Sequence, residues 1–114
     1  MGSSKSVLFP FKQVTGASMA STYYGPSQNV QFLDNVYFTI NFTGTPTGTF
    51  GVQGSGDGGN NWQFIKLNTN PVASGASDTV GIEINQSPMP LVRVVYTAIS
   101  GTGLMDIFCT AKEI

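Results

Sequence analysis

Val36-Tyr37-Phe38-Thr39-Ile40-Asn41-Phe42-Thr43 puts an apolar side chain at every second position and a mixed or polar one between them. Successive strand side chains point to opposite faces, so this is a strand with one face in a core and one outside. It lies in a longer extended run from about Val30 to Phe42, and Asp34-Asn35 predicts a bulge or kink in its first half. Working outward, the same period recurs. Thr43 to Gly48 is a Gly/Pro/Thr loop, then Thr49 to Ser55 carries Phe50 and Val52 in phase. A tight Gly/Asn connection follows, and Trp62 to Leu67 returns as the second arm of a hairpin. Asn68 to Ser77 is a polar loop. Val80, Ile82 and Ile84 alternate with Gly81, Glu83 and Asn85. Leu91 to Thr97 reads as a central strand, with Val92, Val94 and Tyr96 facing one way and Arg93 the other. Ser100 to Gly103 is a turn, and Leu104 to Ala111 closes the chain with Met105, Ile107 and Cys109 in phase.

No long stretch places apolar residues at helical spacing, and turn clusters recur about every ten residues. The expectation is an all-β antiparallel β-sandwich of jelly-roll or immunoglobulin-like type, with seven to eight strands. Residues 30–114 form its core. Residues 1–29 are less regular. Val7, Phe9 and Phe11 alternate, but Pro10 interrupts their ladder and predicts an edge strand or an extended N-terminal arm. Tyr23-Tyr24-Gly25-Pro26 closes a second short strand. Both belong to the same single domain, which is what a length of 114 residues predicts.

Composition narrows the function classes. His is absent and Cys occurs once, which excludes a Ser-His-Asp triad, a Cys-His dyad, an internal disulfide and a Cys/His zinc site. Five Lys and Arg against six Asp and Glu leave no basic stripe, so no nucleic-acid partner is expected. No apolar run is long enough to span a bilayer and no secretion signal is read, so no membrane partner is expected. Only 10% of residues are charged, against about 25% in ordinary soluble domains, while Ser, Thr, Asn and Gly supply 45 of the 114. A surface so poor in charge suits a subunit packed against other protein.

Ser55-Gly56-Asp57-Gly58-Gly59-Asn60-Asn61-Trp62 resembles the Asp-box, Ser-x-Asp-x-Gly-x-Thr-Trp, with Asn61 in place of Thr. The resemblance implies a structural hairpin of Ser55, Asp57, Gly59 and Trp62. There the Ser and Asp side chains bond turn amides, Gly takes a positive φ and the Trp packs beneath. Sialidases carry several such boxes with an arginine cluster, whereas this chain has one box and one Arg. Asp57, Asn60 and Asn61 offer too few carboxylates for calcium, and no metal or other cofactor is implied. Met1 to Ser6 fits a myristoylation pattern and Asn41-Phe42-Thr43 a glycosylation sequon. The first reads as a plain Gly/Ser start and the second as chance inside a strand. The six carboxylates show no spacing that favours a glycosidase pair. Cys109 reads as a small buried hydrophobe, and Arg93 as the partner of a carboxylate in the sheet or at a subunit contact.

The hairpin Gly48-Thr49-Phe50, Val52-Gln53, Ser55, Asp57-Gly58, Asn61-Trp62 and the segment Leu91-Val92-Arg93-Val94-Val95-Tyr96-Thr97 through Gly103 together resemble small tailed-phage virion structural proteins. The resemblance spans roughly Val30 to Ile114. It implies a capsid decoration protein or an accessory protein of head, neck or tail, located in the virion, non-enzymatic, partnered by its own copies and by other virion proteins. Val7, Phe9, Phe11, Tyr23 and Tyr24 are the expected interface residues. Tyr37 and Phe32 are further aromatics for a groove or interface. The competing expectation is a carbohydrate-binding β-sandwich for a host-surface glycan. It would use Trp62, Tyr23, Tyr24 and Tyr37 as stacking platforms, with Asn60 and Asn61 as hydrogen-bond donors and acceptors. A buried Trp62 would favour the hairpin anchor, and one exposed on a concave face the glycan.

Overall fold

The computed structural model describes residues 7–30, 33–67, 69–85 and 89–113, with backbone alone at 7–11, 13, 33–34, 85 and 111–113. None of the described residues is helical. They form ten strands: β1 (Val7–Ser18), β2 (Tyr23–Tyr24), β3 (Gln28–Asn29), β4 (Leu33–Gly44), β5 (Thr47–Ser55), β6 (Gln63–Phe64), β7 (Val72–Ser74), β8 (Asp78–Asn85), β9 (Leu91–Ser100) and β10 (Gly103–Glu113). Sheet A runs β1-β10-β4-β8. Sheet B runs β2-β9-β5-β6, with β3 also on β9 and β7 also on β5. All pairings are antiparallel.

The expected all-β sandwich is what the chain adopts. The strand count exceeds seven or eight because four elements, β2, β3, β6 and β7, are only two or three residues long. Such pieces are too short to show a period. They sit at the rims of sheet B, where the chain touches β5 or β9 briefly and leaves.

The opening alternation forms the inner face of sheet A. Val36, Phe38, Ile40 and Phe42 are buried, across from Met105, Ile107 and Cys109 of β10 and Ile82 and Ile84 of β8. Sheet B answers with Phe50 and Val52 of β5 and Val92, Val94 and Tyr96 of β9. At the centre the Phe50 ring lies between those of Phe42 and Tyr96, at centroid distances of 5.5 and 4.9 Å. Tilted aromatic pairs at such spacings add to area burial. The β4–β10 register slips between Leu33 and Asn35, which places the expected bulge at Asp34.

The N-terminal segment belongs to both layers. From Val7 onward β1 pairs with β10 at the edge of sheet A, and its register shifts between Leu8 and Phe11, around Pro10. It shifts again near Gly16, which takes φ +65 and donates its N–H to Asp106 Oδ1 at 2.8 Å, beside a 3.3 Å ion pair from Lys12. The chain then crosses to sheet B through Met19, which is fully buried, and lies along β9 as β2 and β3. Residues 1–6, with the Gly/Ser start, lie outside the described residues.

Candidate functional site on the outer face of sheet B

Register alone places the outward residues of sheet B. Phe50, Val52 and Tyr96 point into the core, so Gly51, Gln53 and Ser55 of β5, and Arg93 and Val95 of β9, point away from it. In-register partners share a face, which adds Tyr24 opposite Val95, Phe64 opposite Gln53 and Val72 opposite Thr49. Of the described residues, Tyr24, Phe64 and Val72 are large hydrophobics at least half exposed. Ile99, 70% exposed, sits where the β9 register slips. Phe64 lies over Gly51, where a Cβ would come within 3.3 Å of the ring.

Arg93 organises the centre of this face. Its guanidinium carbon stands 4.2 Å from the Trp62 ring centroid and 4.8 Å from that of Tyr24, so the cation is held between two aromatic faces. Its Nε and Nη2 both donate to Gln53 Oε1, at 3.0 and 2.8 Å. Gln53 is itself buried. Of the two expected partners, the carboxylate within the sheet is not there. Among the described residues no carboxylate lies within ion-pair distance of Arg93, because the acids of β8 and β10 belong to the other sheet. Stacking and a neutral amide hold the cation instead, and Nη1 has no partner among the described residues.

The β5–β6 turn fixes Trp62 in that stack. Ser55 is buried, its hydroxyl donates to Asp57 Oδ1 at 2.8 Å, and it accepts the Gly59 N–H at 2.9 Å. Asp57 Oδ1 accepts the Asn61 N–H at 2.9 Å and Oδ2 the Asn61 side-chain amide at 2.7 Å. Asn60 Nδ2 donates to the Asp57 carbonyl at 3.1 Å. Trp62 Nε1 donates to the Gly59 carbonyl at 3.0 Å, and Gly58 and Gly59 take φ +77 and +95. Each of Ser55, Asp57, Gly59 and Trp62 is therefore bonded within the turn. The hydrogen bonds from Asn61, backbone then side chain, and from Ser55 pull the Asp57 carboxyl down to about 2. Trp62 is half-buried, between the two alternatives set for it, and one ring face is occupied by Arg93.

The residues expected at an interface separate. Tyr24 is on this face, whereas Tyr23 turns inward and packs on the core. Val7, Phe9 and Phe11 lie on β1 in the other sheet, with side chains outside the described set. The stacking platforms separate too. Trp62 and Tyr24 come together, but Tyr37 stands on the outer face of sheet A, over Gly81 of the neighbouring β8. Asn60 and Asn61 are engaged in the turn, and Phe32 lies outside the described residues. Sequence reasoning missed Phe64, Gln53 and Val72. Phe64 was legible, because it stands two residues after Trp62 and shares its side of a strand. Gln53 and Val72 needed the register.

Sheet A's outer face has a different chemistry. A shallow open groove there is lined by Asn41, Thr43, Asp78, Thr79, Leu104 and Asp106 among others. It brings two carboxylates to one place. Asp106, however, is held below the usual carboxylate range by the Gly16 N–H and by Lys12, opposite to the raised pKa of a glycosidase acid. Cys109 is fully buried, and burial pushes its thiol up to about 11, which leaves it unreactive at neutral pH.

The fold is shared with a protein of phage origin. The SPBc2 prophage-derived protein YomS superposes with a TM-score of 0.58 over 96% of this chain and 97% of that one, at 9% sequence identity. At that identity the likeness is one of fold. No family model and no curated protein matches the sequence.

Proposed function

We propose that the chain is a non-enzymatic structural protein of a phage virion, a subunit that associates with its own copies and with capsid or tail proteins. The observation that carries this reading is the outer face of sheet B. Tyr24 and Phe64 are more than half exposed there near one aromatic-clamped arginine, and Val72 is half exposed farther along β5. Exposed aromatic groups gathered on a sheet face mark a surface that other protein covers. Aromatic residues and Arg are enriched at interface cores, from which Lys, Asp and Glu are depleted. The outward side of sheet A is mixed, bearing Lys12, Glu83 and Asp106 among Thr and Asn side chains, with Tyr37 and Leu104 exposed at separate places on it. The low overall charge and the phage origin of a protein with the same fold support the same reading.

Peptide mass spectrometry of particles purified from the phage or lysogen that encodes the chain tests it. The chain should be present at a fixed stoichiometry to the other particle proteins. Its absence from washed particles, in a lysate where it is expressed, overturns the reading.

A further inference from the structure

We propose that two copies of this chain associate face to face about a two-fold axis, with Arg93 of each copy bound to Asp57 of the other. This rests on the structural-protein reading above and names the contact that reading leaves open. On the strands and connections of sheet B, Asp57 is the one carboxylate among the described residues, while Asp78, Glu83 and Asp106 lie on β8 and β10. Asp57 is exposed and hydrogen-bonded within its turn, with no cation within ion-pair distance among the described residues. Arg93 is the complementary group, a clamped cation with Nη1 directed to no partner in its own chain among those residues. Among the described residues the two form no ion pair within a chain: Arg93 sits beside Gln53 on β5, and Asp57 lies past the end of that strand, with both its oxygens turned to Ser55 and Asn61.

A two-fold axis between them makes each the other's partner, since in such an interface residue i meets j and j meets i. It lays each β5–β6 turn over the partner's Tyr24–Arg93–Trp62 stack and beside its exposed Phe64. The side-chain N–H groups of Asn60 and Asn61 and the Gln53 oxygen already bond within the chain, which favours protein over a sugar as the occupant. A face within the 49 × 30 × 24 Å envelope has room for the roughly 800 Å² per partner of a stable interface.

Two measurements test the pairing. Sedimentation velocity over a wide concentration range should show a monomer–dimer equilibrium. Arg93→Gln should weaken it at least about 30-fold, the lower end for truncating one member of a buried charge pair. For geometry, Arg93→Cys is mixed with Asp57→Cys under mild oxidation. A disulfide should form in the mixture and in neither variant alone, with Cys109 too buried to contribute. If Arg93→Cys does not fold, Tyr24→Cys replaces it, because Tyr24 stacks on Arg93. Dimerisation lost in Phe64→Glu but unchanged in Arg93→Gln, with no mixed disulfide, overturns the pairing and leaves a sheet B interface standing. A wild-type monomer at every concentration, in a chain that particles nonetheless contain, overturns self-association while the virion reading survives.

Discussion

Replacing Ser55 by Ala removes one oxygen from the middle of the β5–β6 turn, and its effect follows from the bonds that oxygen makes. The hydroxyl accepts the Gly59 N–H at 2.9 Å and, weakly, the Asp57 N–H at 3.4 Å, and donates to the Asp57 carboxylate at 2.8 Å. A net intramolecular hydrogen bond contributes about 1 kcal/mol. The Asp57 carboxylate is exposed and regains water on losing its donor, so that bond counts for less. The half-buried Gly59 N–H is rehydrated only in part. The sum is a loss of about 1.5 kcal/mol, which for a domain of this size lowers Tm by about 6 °C. Urea unfolding of wild type and Ser55→Ala measures it, followed by far-UV circular dichroism and by the emission of Trp62, the chain's single tryptophan. The midpoint should fall with the slope unchanged, because the surface exposed on unfolding is the same. The native emission should also shift to the red, since Trp62 is positioned by the Gly59 carbonyl that the turn presents. A loss below about 0.5 kcal/mol with native emission unchanged would refute the idea that this hydroxyl organises the turn.

Four further outcomes are expected. The Asp57 carboxyl is depressed to about 2 from 3.8, so its contribution is full above pH 3.8 and is lost as pH falls from there through about 2. Trp62 emission should change within that acid window and lose this dependence in Asp57→Asn, and a transition centred above pH 5 would contradict the assignment. Gly48→Ala should destabilise by about 2 kcal/mol or more, because its Cβ would meet the Thr97 carbonyl and the buried Tyr96 hydroxyl. Gly56→Ala, with nothing near its Cβ, should lie within about 0.5 kcal/mol of wild type in the same denaturation assay. Tyr96→Phe should be neutral or stabilising by up to about 1 kcal/mol, since the Tyr96 hydroxyl is buried with no hydrogen-bond partner among the described residues. Calorimetry showing a clear loss would mean the hydroxyl has a partner.

The period-2 alternation in Val36–Thr43, and its repeats at Phe50, Ile82, Val92 and Met105, was enough to determine an all-β chain, the long strands β4, β5, β8, β9 and β10 and the inward face of each. The reason is local: a strand's side chains alternate, so burial of one face is written directly in the order of residues. The turn at Ser55–Trp62 was legible on the same ground, since its bonds span at most four residues. Pairing partners were not legible, because which strand lies beside which depends on contacts between distant residues. Arg93 shows the consequence. Its outward direction was readable from its neighbours, but within the sheet the place expected for a carboxylate is taken by Tyr24, Trp62 and Gln53, which lie 69, 31 and 40 positions away along the chain. The same limit separated Tyr23 from Tyr24, one in the core and one on the surface, once β2 was paired to β9. Sequence determined the faces of this protein. Only the tertiary pairing of β9 with β2 and β5 decided that one of them carries clustered aromatics around a cation, because that cluster is assembled across strands and not along any of them.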